Sequence, residues 1–518
     1  MRGAVVACLA AIVLYLPTVR YGFVQDDRAI ISSNPAAHSI GAALRAFDDP
    51  YWPPESGAGL YRPATILSYA VDWTLSGGSP GFLHLMNALW HGLATLLVVL
   101  VLTRWLSPVA AAVAGLVFAW HPVHVEGVAS LVGRAELLAA VGIFAAVLAA
   151  RRAWWVAAVA CAALAMLSKE HGIIAGVAIL LDYWLRPHPL SPSPFGRGGT
   201  DSRPYPVGLW MGLAVVTLGF LAAWFAIGRA GASDVAAVFL GRGGAGRLAV
   251  ALPAIARAAG LLVWPASLSV DYGPQVIPAR TSLSLAALFG AALVIAVPML
   301  VVWCRRRAPA GAFTLALAAL SYLPTSNLLF PSGVVLAERN LYLAALVAAV
   351  LAAMAFEFMQ ARWGARPALA AMVVVALAAG ARSFARLPAW RDNRSQLLTQ
   401  LAEHPESYGA HRSAAAVLAG LRDTAGARRE YRLADSLFAG DPHLDAAHAL
   451  YVIGLGDTAA AAPLISRSRA VLPNEPIALR AQFLLELARG DRRLALAVAD
   501  SAQQRYPWER PWYVMYLQ

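Results

Sequence analysis

Lysine is almost missing from this 518-residue chain: of 41 Lys and Arg residues, Lys169 alone is lysine. Such a skew reads as codon preference, and it makes the one retained ammonium group a candidate for function. Charge of either sign is also scarce, at 14% of residues, against 59% hydrophobic and a mean hydropathy of +0.60. No soluble core absorbs that much apolar surface, so the chain reads as a polytopic membrane protein. Its net charge of +12 then reports basic loops held on one side of a bilayer, and a nucleic-acid partner is set aside. Cysteine is rare too. Cys8, Cys161 and Cys304 lie in or at the end of apolar runs, which fits neither a disulfide framework nor a metal-ligand spacing.

What is abundant is apolar sequence in helical lengths. A crossing helix needs about 20 such residues, fewer inside a large bundle. Spans are read near 4–20, 82–102, 108–120, 137–150, 153–168, 172–185, 208–228, 282–303, 310–324, 341–359 and 367–384. The first, preceded by Arg2, is taken as an uncleaved helix. Short basic loops fall between alternate spans: Arg104, Arg151 and Arg152, Arg186 to Arg203, "RRR" at 305–307, and Arg362 with Arg366. If 248–270, which carries Arg257 and several Pro and Gly, crossed fully, "RRR" would change sides. That stretch is therefore expected to be re-entrant or interfacial. An all-α bundle of about eleven spans results, N-terminus inside and C-terminus outside.

The polar motifs then gather at the outer helix ends. They are "FVQDDR" (23–28), "LYRPAT" (60–65), "HPVHVEGVASLVGRAE" (121–136), "LSKEHG" (167–172), "SVDYGP" (269–274) and "LAERNLYL" (336–343). Charged clusters near lipid are costly and usually line a cavity that binds a polar group. Asp26 and Asp27 repel each other, so one is expected to have a raised pKa while its partner stays ionised to orient an acceptor or balance a cation, and either of the two could serve as a base. Arg62, His124, Arg134, Lys169 and Arg339 are candidates to meet an anion. His121, Glu126, Glu136, Glu170, Asp271, Tyr272 and Glu338 are candidates for supporting contacts to acceptor or sugar. Each cation has a structural alternative in a neighbouring carboxylate: Arg134 with Glu136, Lys169 with Glu170, Arg339 with Glu338. The pattern His121-x-x-His124-x-Glu126 lacks the i, i+4 histidines of a zinc site, and Pro122 interrupts it. No metal is expected, with a divalent ion at the Asp pair left open.

Beyond "WRDN" at 390–393 the chain turns to Ala, Leu, Arg and Glu with helical periodicity. "LRDTAGARREY", "LGDTAAAAPLI" and "RGDRRLALAVA" place Asp423, Asp457 and Asp491 at steps of 34, and Pro405, Pro442, Pro473 and Pro507 recur at a similar period. This predicts tetratricopeptide-like helical hairpins over 389–518 behind a membrane domain over 1–388, their concave face suited to a protein ligand or, alternatively, serving as a plain spacer. All the candidate chemistry precedes Leu343, so the tail is expected to be separable from the site. The Pro-, Gly- and Ser-rich stretch 186–206 reads as a mobile cytoplasmic loop.

"FVQDDRAIISSNP", "YRPATILSYAVD", "PGFLHLMNALWH", "HPVHVEGVASLVGRAELLAA", "SKEHGI" and "AERNLYL", followed by 34-residue repeats, together resemble the transmembrane and tetratricopeptide-repeat O-mannosyltransferases. The resemblance runs in order along nearly the whole chain. It implies a multi-span glycosyltransferase of the GT-C class with no bound cofactor. The substrate would be a hexose, mannose by the resemblance, carried on a polyprenyl phosphate, and the acceptor a protein hydroxyl recruited by the repeats at the outer face; the codon preference points to a bacterial inner membrane as the location. The resemblance also implies an inverting single displacement, for which Asp26 or Asp27 would be the base. Two other readings stay open: transfer of a lipid-linked sugar to a glycolipid or cell-wall polymer, and a membrane scaffold or transporter without such chemistry. A transporter would carry charges near the midplane and matched halves, and neither pattern is visible.

Overall fold

The computed structural model describes residues 1–53, 59–186, 205–227, 235–278 and 284–505, and every regular element among them is helical. Most of the loop expected over 186–206 lies outside the described residues, at 187–204. The bundle opens with α1 (Arg2–Tyr15), the short α2 (Ile40–Arg45), α3 (Pro63–Ser76) and α4 (Pro80–Leu102). It continues through α5 (Pro108–Trp120), α6 (His124–Ala129), α7 (Arg134–Arg151), α8 (Trp155–Ser168), α9 (Ala175–Trp184) and α10 (Val207–Ile227). Then come α11 (Gly244–Val263), α12 (Leu285–Cys304), α13 (Pro309–Tyr322), α14 (Leu346–Trp363) and α15 (Ala365–Arg386). Local chemistry sets several starts. Proline opens α3, α4, α5 and α13, and before α4 and α5 the Ser79 and Ser107 hydroxyls accept from the Phe82 and Ala110 N–H groups.

Among the described residues eight helical stretches are long and apolar enough to cross a bilayer: Arg2–Arg20, Pro80–Leu102, Leu131–Arg151, Val207–Ile227, Gly244–Val263, Leu285–Cys304, Leu346–Trp363 and Ala365–Trp390. The most apolar stretch of Leu131–Arg151 is 89% buried, against 11% for those of Val207–Ile227 and Leu285–Cys304. So α7 is the axis of the bundle, and α10 and α12 present their surfaces to lipid. Shorter apolar helices such as α5 and α8 pass between these neighbours.

The basic loops do share one end of the bundle. Arg104 after α4 and Arg151 of α7 both bond to Asp182 of α9, at 2.8 and 2.6 Å. Glu357 of α14 accepts from Ser107 N at 3.0 Å, and Arg305 stands 5.4 Å over the Trp184 ring. At the other end, α11 has the length to cross, yet both its ends return to that same face. Arg247 donates to Leu328 O beyond α13 at 3.1 Å, and Leu262 O pairs with His121 Nε2 beyond α5 at 3.0 Å. Its buried residues Val250, Ala254, Ala258 and Leu261 lie along one side, as expected of an interfacial helix. Gly290 lets it cross α12 closely, since a Cβ there would meet Leu252 O at 2.0 Å.

The tail begins with α16 (Asn393–Glu403) and continues as hairpins α17 (Tyr408–Gly420) with α18 (Thr424–Leu437), α19 (Pro442–Gly454) with α20 (Thr458–Val471), and α21 (Pro476–Ala488) with α22 (Arg492–Arg505). First helices start at 408, 442 and 476 and second helices at 424, 458 and 492, every step being 34. The periodic aspartates are helix caps: Asp423, Asp457 and Asp491 accept from the N–H groups of Gly426, Ala460 and Leu494. Just before each cap the chain turns through positive φ, at Arg422, Gly456 and Gly490. Pro442 opens a first helix instead of closing a second, and Pro507 lies outside the described residues.

The tail is not a loose tether. Glu403 of α16 accepts from Val270 N at 3.2 Å and pairs with Arg386 of α15, while Gln400 and Ser407 both reach Asp271 at 3.4 Å. Gln275 donates to Leu437 O at 3.1 Å. The expectation of a separable tail therefore gives way: α16 and the first hairpin are seated on the bundle loops, whose partners lie more than a hundred residues away in sequence.

Candidate active site

The two adjacent aspartates have different fates. Asp27 is fully buried, and its oxygens accept from Val24 N at 3.0 Å and Val132 N at 2.9 Å. Burial pushes its pKa up to about 7, against the pull of those N–H groups. It ties the first outer loop to the turn before α7 and has no open side from which to take a proton. Asp26 is only partly buried, and no described residue hydrogen-bonds to its carboxylate. It lines two hollows at once.

Burial likewise removes other candidates. Arg134 has no exposed surface. Its guanidinium pairs with Asp72, donates to Asn87 Oδ1 at 2.7 Å and to Leu83 O at 2.8 Å, and stands 4.7 Å over the Tyr69 ring. Asn87 in turn donates to Val128 O and Ser130 O, both at 3.2 Å. The motifs that contain Asp72, Asn87 and Arg134 thus build one brace under the 124–133 turn, so Arg134 cannot meet a phosphate. His124 is equally enclosed, with Nε2 on Tyr342 O at 3.0 Å, and leaves the anion-binding set for the same reason. His121 holds the end of α11. Among the described residues no three His, Cys, Asp or Glu side chains are grouped to hold a metal ion.

Glu338 is buried and accepts from Ser269 N and the Tyr272 hydroxyl, each at 2.8 Å. Burial raises its pKa to about 8, the Arg386 cation opposing and Glu126 assisting. Glu338 and Tyr272 therefore secure the 269–274 loop, whose Asp271 faces α16 and α17.

Three cations remain, each paired with a carboxylate far from it in sequence. Arg62 forks onto Glu170 through Nε at 3.0 Å and Nη2 at 2.8 Å; Lys169 pairs with Glu136 and donates to Asn340 Oδ1 at 3.3 Å. Arg339 meets Glu126 through Nη1 and its own backbone N–H, both at 2.9 Å. Neither Lys169 nor Arg339 uses the neighbouring carboxylate that the sequence offered. Burial acts against the Arg339 cation, but Glu126 and Asp26 outweigh it and raise its pKa; burial of the Lys169 ammonium outweighs Glu136 and lowers its own. A hollow of about 550 Å³ is lined by Asp26, Arg62, Glu136, Lys169, Glu170 and Arg339. A second, of about 710 Å³, is lined by Asp26, Glu126, Asp271 and Arg339 on the bundle side and by Tyr408, Arg412, Tyr431 and His443 on the repeats. The two share Asp26, Arg339, Val235, Gly333 and Val334. A further hollow of about 630 Å³ lies beside Arg62 and Tyr51, lined mainly by Ala, Pro and Ser.

Several lining residues escaped the sequence reading. Asn340 stood within a quoted motif beside Arg339 and could have been included. Tyr51, whose ring lies 4.9 Å from the Arg62 guanidinium, and Trp224 of α10 carry no spacing signal, because only the fold brings them to the cations.

Comparison with known proteins bears on the same region. The profile of a family described as dolichyl-phosphate-mannose-protein mannosyltransferase matches residues 73–195. Protein O-mannosyl-transferase Tmtc2 of Drosophila melanogaster is 42% identical over 140 residues, 26% of this chain and 15% of that protein. Protein O-mannosyl-transferase TMTC3 of Homo sapiens is 31% identical over 198 residues, 35% of this chain and 21% of its own length. A longer match, 26% identical over 449 residues, joins 83% of this chain to 62% of the Caenorhabditis elegans protein O-mannosyl-transferase F38B6.6. The chain thus spans less than two thirds of the length of each of these relatives.

Proposed function

We propose, on the premise that these relatives support a TMTC-like O-mannosyltransferase family, that the chain is a membrane glycosyltransferase. It moves a hexose, mannose by the relatives' names, from a polyprenyl-phosphate carrier to a Ser or Thr hydroxyl of a protein. The observation that carries this is the position of Asp26, common to a hollow ringed by Arg62, Lys169 and Arg339 and a hollow walled by the repeats. The lipid-linked sugar occupies the first and the acceptor segment reaches Asp26 through the second.

Asp26 takes the hydroxyl proton as the acceptor oxygen bonds to the anomeric carbon, and the bond from that carbon to the phosphate oxygen breaks in the same displacement. The electron pair leaves with the lipid phosphate. Its charge is met by cations that keep N–H donors to spare, since Arg62 spends Nε and Nη2 on Glu170 and Arg339 spends Nη1 on Glu126. The basic face lies in the cytoplasm of a bacterial cell and the site and repeats lie outside it.

Purified protein in lipid nanodiscs, given several polyprenyl-phosphate sugars with a peptide panel and a glycolipid acceptor, tests this reading. Sugar transfer to peptide that is abolished by Asp26→Asn is the expected result. Transfer to the glycolipid alone would move the acceptor assignment, and full transfer by Asp26→Asn would remove the base.

A further inference from the structure

Next to Asp26 the backbone takes a conformation that its sequence does not favour. Gln25 has φ +44°, in the left-handed region that a residue other than glycine adopts only when its surroundings impose it. One restraint is local: Asp27 accepts from Val24 N, and Asp27 N–H donates to Val24 O at 3.0 Å. The other comes from the far end of the chain, where Asn393 Oδ1 accepts from Gln25 N–H at 2.8 Å across 368 residues. Arg391 O accepts from Gly22 N–H beside it, at 3.1 Å. Asn393 is the first residue of α16, and that helix is fixed at both ends. Asp392 caps it on Ser395 N at 2.7 Å next to buried Trp390, and Glu403 ties its last turn to Val270 N and Arg386. The helix that seats the repeats therefore grips the peptide that aims Asp26.

We infer that Asn393 is a positioning residue for Asp26, so that seating of the repeat domain and alignment of the base are one coupled state. This rests on the assignment of Asp26 as base. Small displacements of a reacting group are costly, about 100-fold for 1 Å.

The test uses full-length protein in nanodiscs, with a polyprenyl-phosphate mannose donor and a short Ser/Thr peptide too small to need the outer repeats. Asn393→Ala is expected to lower kcat about 10- to 100-fold with KM for donor and peptide unchanged. Asn393→Asp, which keeps the accepting oxygen, is expected to recover kcat, with the acid limb of the pH profile moved upward by the added carboxylate. Gln25→Gly adopts positive φ without strain, so the double variant Gln25→Gly/Asn393→Ala is expected to recover most of the loss. Wild-type kcat in Asn393→Ala overturns the coupling, as does equal damage in Asn393→Asp and in the double variant. Should Asn393→Ala fail to fold, the Asp variant and the double variant still decide. Activity in Asp26→Asn would instead overturn the base assignment, whereas an inactive Asp26→Asn beside a normal Asn393→Ala removes the coupling alone.

Discussion

The two ends of the bundle both hold clusters of opposite charge, and they are built differently. At the basic end Asp182, fully buried, is shared by Arg104 and Arg151 and lines none of the three hollows described above. At the repeat end three separate pairs, Arg62 with Glu170, Lys169 with Glu136 and Arg339 with Glu126, ring open volume, and Asp26 stands among them without a bonded partner among the described residues. In sequence the two clusters look alike, as charges at helix ends. What separates a brace from a site is unoccupied space beside donors that still have capacity. Arg134 makes the same point within one face: its charge is spent inside protein, whereas that of Arg62 borders a hollow.

The sharpest way to break that comparison is to neutralise one carboxylate in each cluster. Asp26→Asn should cut turnover by about 100-fold or more, the scale of a lost general base, while thermal midpoint and membrane insertion hold. Asp182→Asn should do the reverse. It leaves two guanidinium groups facing a neutral amide and should cost about 3–5 kcal/mol of stability, read as a lower melting midpoint, with turnover per folded molecule preserved. Turnover loss in Asp182→Asn at unchanged stability would erase the distinction. A smaller effect is expected at Arg62: Arg62→Gln should weaken donor binding about tenfold, seen as a higher donor KM, because a charged hydrogen bond contributes about 1.5–3 kcal/mol.

Asp27 gives the mildest change and a sign that can be checked. Its folded pKa, raised to about 7, lies above the ordinary carboxylate value, so its contribution to stability is full at acid pH and is lost as pH rises through about 7. Melting midpoints of the wild type should fall from pH 5 to pH 8. In Asp27→Asn the midpoint at pH 5 should be lower, since one of two backbone N–H groups loses its acceptor, and the slope with pH shallower. Glu338, shifted upward to about 8, keeps part of that slope. A slope as steep as wild type would mean that Asp27 is already charged in the folded state.

Much of the architecture was legible because it depends on local chemistry. Apolar lengths marked the spans, alternating arginines sorted the loops to two ends, and a 34-residue step of aspartates marked the hairpins because each aspartate caps a helix. Keeping Arg305, Arg306 and Arg307 with the other basic loops led to the expectation that 248–270 does not cross fully; α11 is long and apolar enough to cross, while the contacts of Arg247 and Leu262 hold its two ends beside loops of one face. Ion pairing was not legible. Arg134, Lys169 and Arg339 each had a carboxylate within two residues, and each took a partner from another helix instead, because neighbours near a helix end point in different directions.

By itself, then, the sequence determined that the chain is a helical membrane protein with polar motifs at one set of helix ends and a periodic helical tail, since hydrophobic length, loop charge and capping act within a few residues. Only the tertiary structure decided which carboxylate is free, which arginines are spent inside the protein, and that Asn393 reaches Gln25. Those outcomes depend on burial and on which donors meet across hundreds of residues, and packing alone sets both.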